Sequence, residues 1–182
     1  MKIGNISQTV LKRSVLKQLH AHREEALWSP TVEETCSGIE VKDGRSVVIS
    51  STAIYGDEKD LGHYGIAKAV NDVASRGGKP IGVEIVIQLP PYAYESRLKT
   101  MVSYMEETCH KYEMQILGIQ ATVCPVIRSS MVHVTAIGAL DKDDVLQSSS
   151  AKPDMDILLL NGVGTEGALR ILNMSEEKIK ER

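Results

Sequence analysis

A chain of 182 residues, 42% hydrophobic and 25% charged, has the make-up of an ordinary globular protein, sized for one domain or one domain with part of another. Disordered, collagen-like and disulfide-scaffold classes are excluded, and a formal net charge of −3 gives no basic footprint for nucleic acid. The three cysteines, Cys36, Cys109 and Cys124, are widely spaced and form no C-x-x-C, so neither a disulfide framework nor a zinc knuckle is expected. No run approaches ~18 apolar residues, and the first residues lack the basic-then-apolar order of a leader. The expected location is the cytoplasm, without membrane contact. Phe is absent, so Val, Ile, Leu, Met and Ala must supply the core.

The first element is helical. Val10, Leu11, Ser14, Val15, Gln18 and Leu19 carry its periodicity over residues 10–19, with Lys12, Arg13 and Lys17 on a solvated face. His20 and His22 follow, but an i, i+2 pair points to different sides of a helix and makes no metal pair by itself. Trp28-Ser29-Pro30 closes the segment. Asp43-Gly44 is a turn signal, and the β-branched run over 46–52 that follows it reads as a buried strand.

Residues 61–76 read as a helix, with Asp60 as N-cap, Ile66, Ala69, Val70 and Val73 on the buried face, and Gly77-Gly78 as the stop. A second strand over 82–89 is bounded by Pro90-Pro91. The clearest periodicity comes next: Leu98, Met101, Val102, Met105, Cys109 and Tyr112 predict a helix over 94–112. That stripe makes Cys109 a core residue rather than a nucleophile. Strands over 114–122 and 131–140 are separated by Pro125 and the Arg128-Ser129-Ser130 turn, and His133 is a polar position of the alternating last strand.

The order β, α, β, α, β, β after a leading helix describes an α+β domain of two layers, a mixed four-stranded sheet with helices on one face. Its expected extent is residues 1–145. Residues 146–182 read as a linker and the truncated start of a second domain. Asp141-Lys142-Asp143-Asp144 and Ser148-Ser149-Ser150 form a joint across that boundary, before an apolar strand at 156–160. Gly162-Val163-Gly164-Thr165-Glu166-Gly167 is formally G-x-G-x-x-G. The dinucleotide fingerprint also needs a complete βαβ unit and an acidic residue about 20 positions on, neither of which follows. A tight glycine turn at a helix start remains, able to meet a phosphate once the rest of a domain is present.

The segment Asp60-Leu-Gly-His-Tyr-Gly-Ile-Ala-Lys-Ala-Val-Asn-Asp-Val-Ala-Ser-Arg-Gly-Gly-Lys-Pro80 resembles the signature helix of the aminoimidazole ribonucleotide (AIR) synthetase superfamily, in which an Asn-Asp pair precedes small residues, glycine and proline. Further matches keep their order. Ser51-Thr52 stands where the family has a Thr-Thr-Asp type motif, and Leu117-Gly118 opens what should be a Gly-Gly-Asp-Thr type turn. Val134-Thr135-Ala136-Ile137-Gly138 is similar to the closing strand, and Ala151-Lys-Pro-Asp-Met-Asp-Ile157 with Gly162-Val-Gly164 to the crossing into a second domain. The resemblance runs from about residue 41 to 172.

This resemblance implies an ATP-dependent phosphoryl-transfer protein whose family includes purine-biosynthetic synthetases, selenophosphate synthetase, thiamine-monophosphate kinase and a hydrogenase maturation protein. It implies N-terminal domains that pair as a homodimer with joined sheets forming a barrel, and carboxylates that hold Mg²⁺ on the ATP phosphates, since a hard cation takes oxygen ligands. Carried onto this chain, Asp60, Gly62, Asn71 and Gly118 are the implied ATP contacts, and Asp72, Glu40 and Asp57 the implied metal ligands. Asp57 and Asp60, on the loop and helix start, are also explained by helix capping, and Asp72 by a bond to a neighbouring loop.

Several positions depart from the family pattern. Ala53 stands at the strand-end carboxylate, Ile119 and Gln120 replace the glycine and aspartate of the turn, and Gly38-Ile39-Glu40-Val41 replaces an acidic stretch before the first strand. Acids restored at 53 and 120 are expected to strengthen Mg²⁺-dependent nucleotide binding by adding two hard oxygen ligands. Two function classes stand: a Mg- and ATP-dependent enzyme acting with a small-molecule substrate, in which phosphorylation activates an amide, carbonyl or phosphate oxygen, possible roles including hydrogenase or other metalloenzyme maturation; or a degenerate dimeric scaffold.

Overall fold

The structure, a computed structural model, describes residues 7–14, 16–19, 24, 27, 31–33, 37–41, 44–159, 162–169, 171 and 172. His20, His22, Trp28, Ser29, Pro30, Cys36 and Asp43 lie outside the described residues. The chain divides into two units, Met1–Ser150 and Ala151–Arg182.

The first unit is an α+β domain built on a mixed five-stranded sheet in the order β1-β2-β5-β3-β4. Its strands are β1 (Ser37–Glu40), β2 (Arg45–Tyr55), β3 (Lys79–Leu89), β4 (Gln115–Val123) and β5 (Met131–Asp141), and its long helices are α2 (Glu58–Ala74) and α3 (Glu95–Lys111). β3 and β4 run parallel and every other pair is antiparallel. Strand β5 therefore separates β2 from β3, which run in the same direction and are linked through α2, a split βαβ arrangement.

The fifth strand was not expected. Ser37–Glu40 pairs with Ser46–Ile49 through a turn at Gly44, whose φ of 70° suits glycine, so the turn closes a hairpin instead of opening the first strand. The leading helix is also shorter than its periodicity: α1 is Gln8–Ser14, followed by a 3-10 turn at Leu16–Gln18. Helix α2 begins at Glu58, two residues before Asp60, because Asp57 is the cap, its Oδ1 accepting from the Asp60 N–H at 2.8 Å. Proline is accepted at Pro80 because β4 first pairs with β3 at Gly82, leaving Pro80 paired only with Gly138 of β5. Leu117-Gly118, expected to open a turn, lies inside β4, where Leu117 is the extra residue of a bulge between the pairs Val83↔Ile116 and Glu84↔Gly118.

One sheet face is covered by helices. Ile54, Val83, Ile85, Ile87, Leu89, Val132, Val134 and Ala136 pack with Leu61, Ile66, Ala69, Val70 and Val73 of α2 and Met101, Met105 and Cys109 of α3. Alternation sends the intervening residues to the other face, which carries no helix: Ile39, Val47, Ile49, Ile137 and Ala139 toward one end, Ser51, Thr135, Glu84, His133 and Gln120 toward the other. His133 is exposed there, opposite Ala53 and Val86.

The second unit is described by itself. Residues 156–159 form no strand, and Ile157 and Leu158 are 96% and 86% exposed. A strand is stabilised by its neighbour, and among the described residues none pairs with this run. At the glycine turn Gly164 has φ 78°, and the Thr165 hydroxyl donates to the Gly162 carbonyl at 2.7 Å. No helix of the described residues is long and apolar enough to cross a membrane.

Two outcomes test this packing. A Cβ at Gly138 would meet Val73 Cγ1 at 2.4 Å and the Lys79 carbonyl oxygen at 2.9 Å, so Gly138→Ala is expected to lower stability by ~1–3 kcal/mol in urea denaturation. Burial, and then the charge of Glu106, push the Cys109 thiol up to about 11. At pH 8 roughly one thiol in a thousand is thiolate there, so peptide mapping after iodoacetamide should find Cys109 unlabelled in the folded chain and labelled in urea.

Candidate functional site

Asp72 occupies the last full turn of α2 and is half-buried. Residues 66, 69, 70 and 73 of the same helix are seated in the core, which turns Asp72 toward β2. There the Ser50 hydroxyl donates to Asp72 Oδ2 at 3.0 Å. Ser50 is 2% exposed and lies on the helix-facing side of β2, with Ser46, Val48 and Ile54. Periodicity places it there, yet the sequence reading passed over it, because a serine in a β-branched strand attracts no notice until its partner is known. The same face holds a contrasting residue: Ser46 is fully buried and its hydroxyl has no hydrogen-bond partner.

The other implied ligands are not brought to Asp72. Asp57 caps α2, and along a helix rising 1.5 Å per residue it stands roughly 22 Å from Asp72, with Asp60 about 18 Å away. Glu40 is paired with Ser46, four residues from Ser50, an offset of about 13 Å along the strand. Among the described residues no three His, Cys, Asp or Glu side chains form a group that could hold a metal ion.

Acids at the replaced positions would not change this. Ser50 faces the helices, so Ala53 faces the opposite side, where its row continues through His133 and Val86 to Gln120. Positions 53 and 120 are three strands apart, about 14 Å. Within a single chain, acids at 53 and 120 would therefore stand across the sheet from Asp72.

The implied ATP contacts are dispersed in the same way. Gly62 is buried where α2 crosses α3, and a Cβ there would meet Tyr104 Cβ at 2.3 Å. Asp60 is half-buried at the helix start and lies beside Gly56, whereas Asn71 is exposed next to Asp72. Gly118 lies on the helix-free face, beside the Glu84 side chain. His63, absent from the sequence-based candidates, ties the helices together. The Thr108 hydroxyl donates to the Tyr104 carbonyl at 2.7 Å, so His63 Nδ1, 2.7 Å from the same oxygen, is the donor of their bond.

The residues fit one ion and no more. Mg²⁺ commonly keeps several waters and takes one or two carboxylates together with substrate phosphates, a role for which a single oriented carboxylate suffices. Asp72 is the residue that would supply that carboxylate. A site in which this unit alone clamps several ions does not fit the arrangement.

Comparison with known proteins agrees with this fold and its helix. Residues 33–140 match the family described as AIR synthase related protein, N-terminal domain. Thiamine-monophosphate kinase of Bacillus subtilis is 27% identical over 114 residues, spanning 63% of this chain and 34% of that protein. A hydrogenase expression/formation protein of Methanocaldococcus jannaschii is 21% identical over 114 residues, with the same coverage of 63% and 34%. The solved structure of AaThiL complexed with AMPPCP and TMP superposes with a TM-score of 0.55 at 16% identity, over 62% of this chain and 38% of that one. The chain thus spans about a third of the length of the curated relatives it matches. With more than half of its residues inside the family match, the chain belongs to the AIR synthase related proteins and carries their N-terminal domain.

Proposed function

We propose that this chain is the nucleotide-binding, self-pairing part of an ATP-dependent AIR synthase related protein, one that activates an amide, carbonyl or phosphate oxygen by phosphorylation. The observation that carries the reading is Asp72, held by Ser50 on the helix that bears the family's Asn-Asp pair. The similar structure of AaThiL is a complex with AMPPCP, an ATP analogue, which supports the same class of ligand. In this reading Asp72 would hold one Mg²⁺ against the nucleotide phosphates, and the metal would supply charge neutralisation there. Asn71, the exposed neighbour of Asp72 in sequence, would donate to the nucleotide in this reading. Asp57 has a capping role only, since the length of α2 separates it from Asp72.

A second copy covers the helix-free face in this proposal. Val47, Ile49 and Ile137 are half-buried there, and Ile39 and Leu117 remain 42% and 50% exposed. A two-fold partner of the same surface would cover these residues and close the two sheets into a barrel. A second reading, a scaffold without catalysis, is favoured by the dispersal of the other carboxylates.

Two measurements decide. A thermal-shift titration should find Mg-ATP stabilising the chain, by roughly 2.7 kcal/mol at 100 times the dissociation constant, with the shift absent in Asp72→Asn and kept in Asp57→Ala after its own loss of ~1 kcal/mol. No shift with millimolar Mg-ATP leaves the scaffold reading. Sedimentation should find a dimer at micromolar concentration, and a stable monomer there overturns the paired sheet.

A further inference from the structure

We infer that Ser50 is a positioning residue for the ligand carboxylate of Asp72, an assignment that rests on the nucleotide-binding reading above. Three observations lead to it. Asp72 lies two residues before the end of α2, at Ala74, where the helix macrodipole disfavours an acid. Nothing local calls for a carboxylate at that place. Among the described residues, its side chain accepts a hydrogen bond from Ser50 alone, through Oδ2, while Oδ1 has no protein donor. Ser50 itself is 2% exposed, so the hydroxyl approaches from the packed side of the carboxylate.

The chemistry follows from that one-sided contact. A hydroxyl donating to an ionised carboxylate makes a charge-assisted bond, stronger than a neutral pair, and it removes most of the side chain's rotational freedom. One oxygen is thereby fixed to the sheet and the other left for a cation. Outer partners of this kind set the orientation of metal-binding carboxylates, and their loss typically costs ~10–100-fold in metal affinity. Ser46 supplies the comparison within the same strand face: it is equally buried, its hydroxyl has no partner, and it lies four residues from Ser50 along β2.

The test uses the full chain and calorimetric titration with ATP, in the presence and absence of Mg²⁺. Ser50→Ala should weaken Mg-ATP binding about tenfold or more, leave metal-free ATP binding unchanged, and have no further effect in an Asp72→Asn background. Ser50→Thr, which keeps a hydroxyl, should restore binding, whereas Ser46→Ala should leave it unmoved. Ser50→Cys, of similar shape but a poor donor, replaces Ser50→Ala if the alanine variant does not fold. If the native chain binds Mg-ATP and Ser50→Ala binds it equally well, Ser50 has no positioning role and the nucleotide reading stands. If the native chain shows no Mg-dependent binding, both fall together.

Discussion

The seating of α2 on the sheet governs the rest of the domain. Gly138 in β5 lets Val73 come close to the strand, and Gly62 lets the other end of the helix come equally close to Tyr104 of α3. Between these two contacts Leu61, Ile66, Ala69 and Val70 complete the buried stripe, so the rotation of the helix about its axis is fixed by packing. With the rotation fixed, Asp72 must face β2 and Asn71 must face water. The Ser50 to Asp72 bond is then a consequence of core geometry, which places a polar pair where hydrophobic packing has already set the distance.

A sheet also divides a molecule into two sides, and here that division separates residues that one linear motif pattern groups together. Asp72 belongs to the helix side, whereas positions 53, 118 and 120 belong to the other. A ligand site drawing on both sides needs a second surface to bring them together, either a two-fold copy or the remainder of a longer protein. This gives the proposed pairing a chemical meaning beyond the covering of apolar area.

Much of the fold was legible because its signals were strong and local. The stripe Leu98, Met101, Met105, Cys109 repeats with a helical period, and α3 ends within one residue of the span it indicated. The alternation in β5 likewise put Val132, Val134 and Ala136 inside and His133 outside. Misreadings arose where a short segment depends on its neighbours. Ser37–Glu40 has little strand propensity and becomes β1 only by pairing with β2, while the apolar run at 156–159 has the propensity without a partner. The cap moved from Asp60 to Asp57 because both are aspartates at a helix start, and only the chain's path decides which carboxylate meets the free N–H groups.

The candidate site was less legible than the fold, for a physical reason. Residue identity along one helix predicts Asp72, but the spread of Glu40, Asp57 and Asp60 around it depends on helix length and strand register, quantities that a motif does not encode. Resemblance alone cannot distinguish a gathered set of carboxylates from a scattered one. A gathered set repels itself and is stable only with a cation bound, so such a site costs stability when empty. Among the described residues Asp72 belongs to no such gathered set, and it is satisfied on one side by a serine hydroxyl. The domain can therefore keep this carboxylate in place without a bound ion, and in the proposed reading the nucleotide phosphates and a second surface would complete the coordination that Asp72 begins.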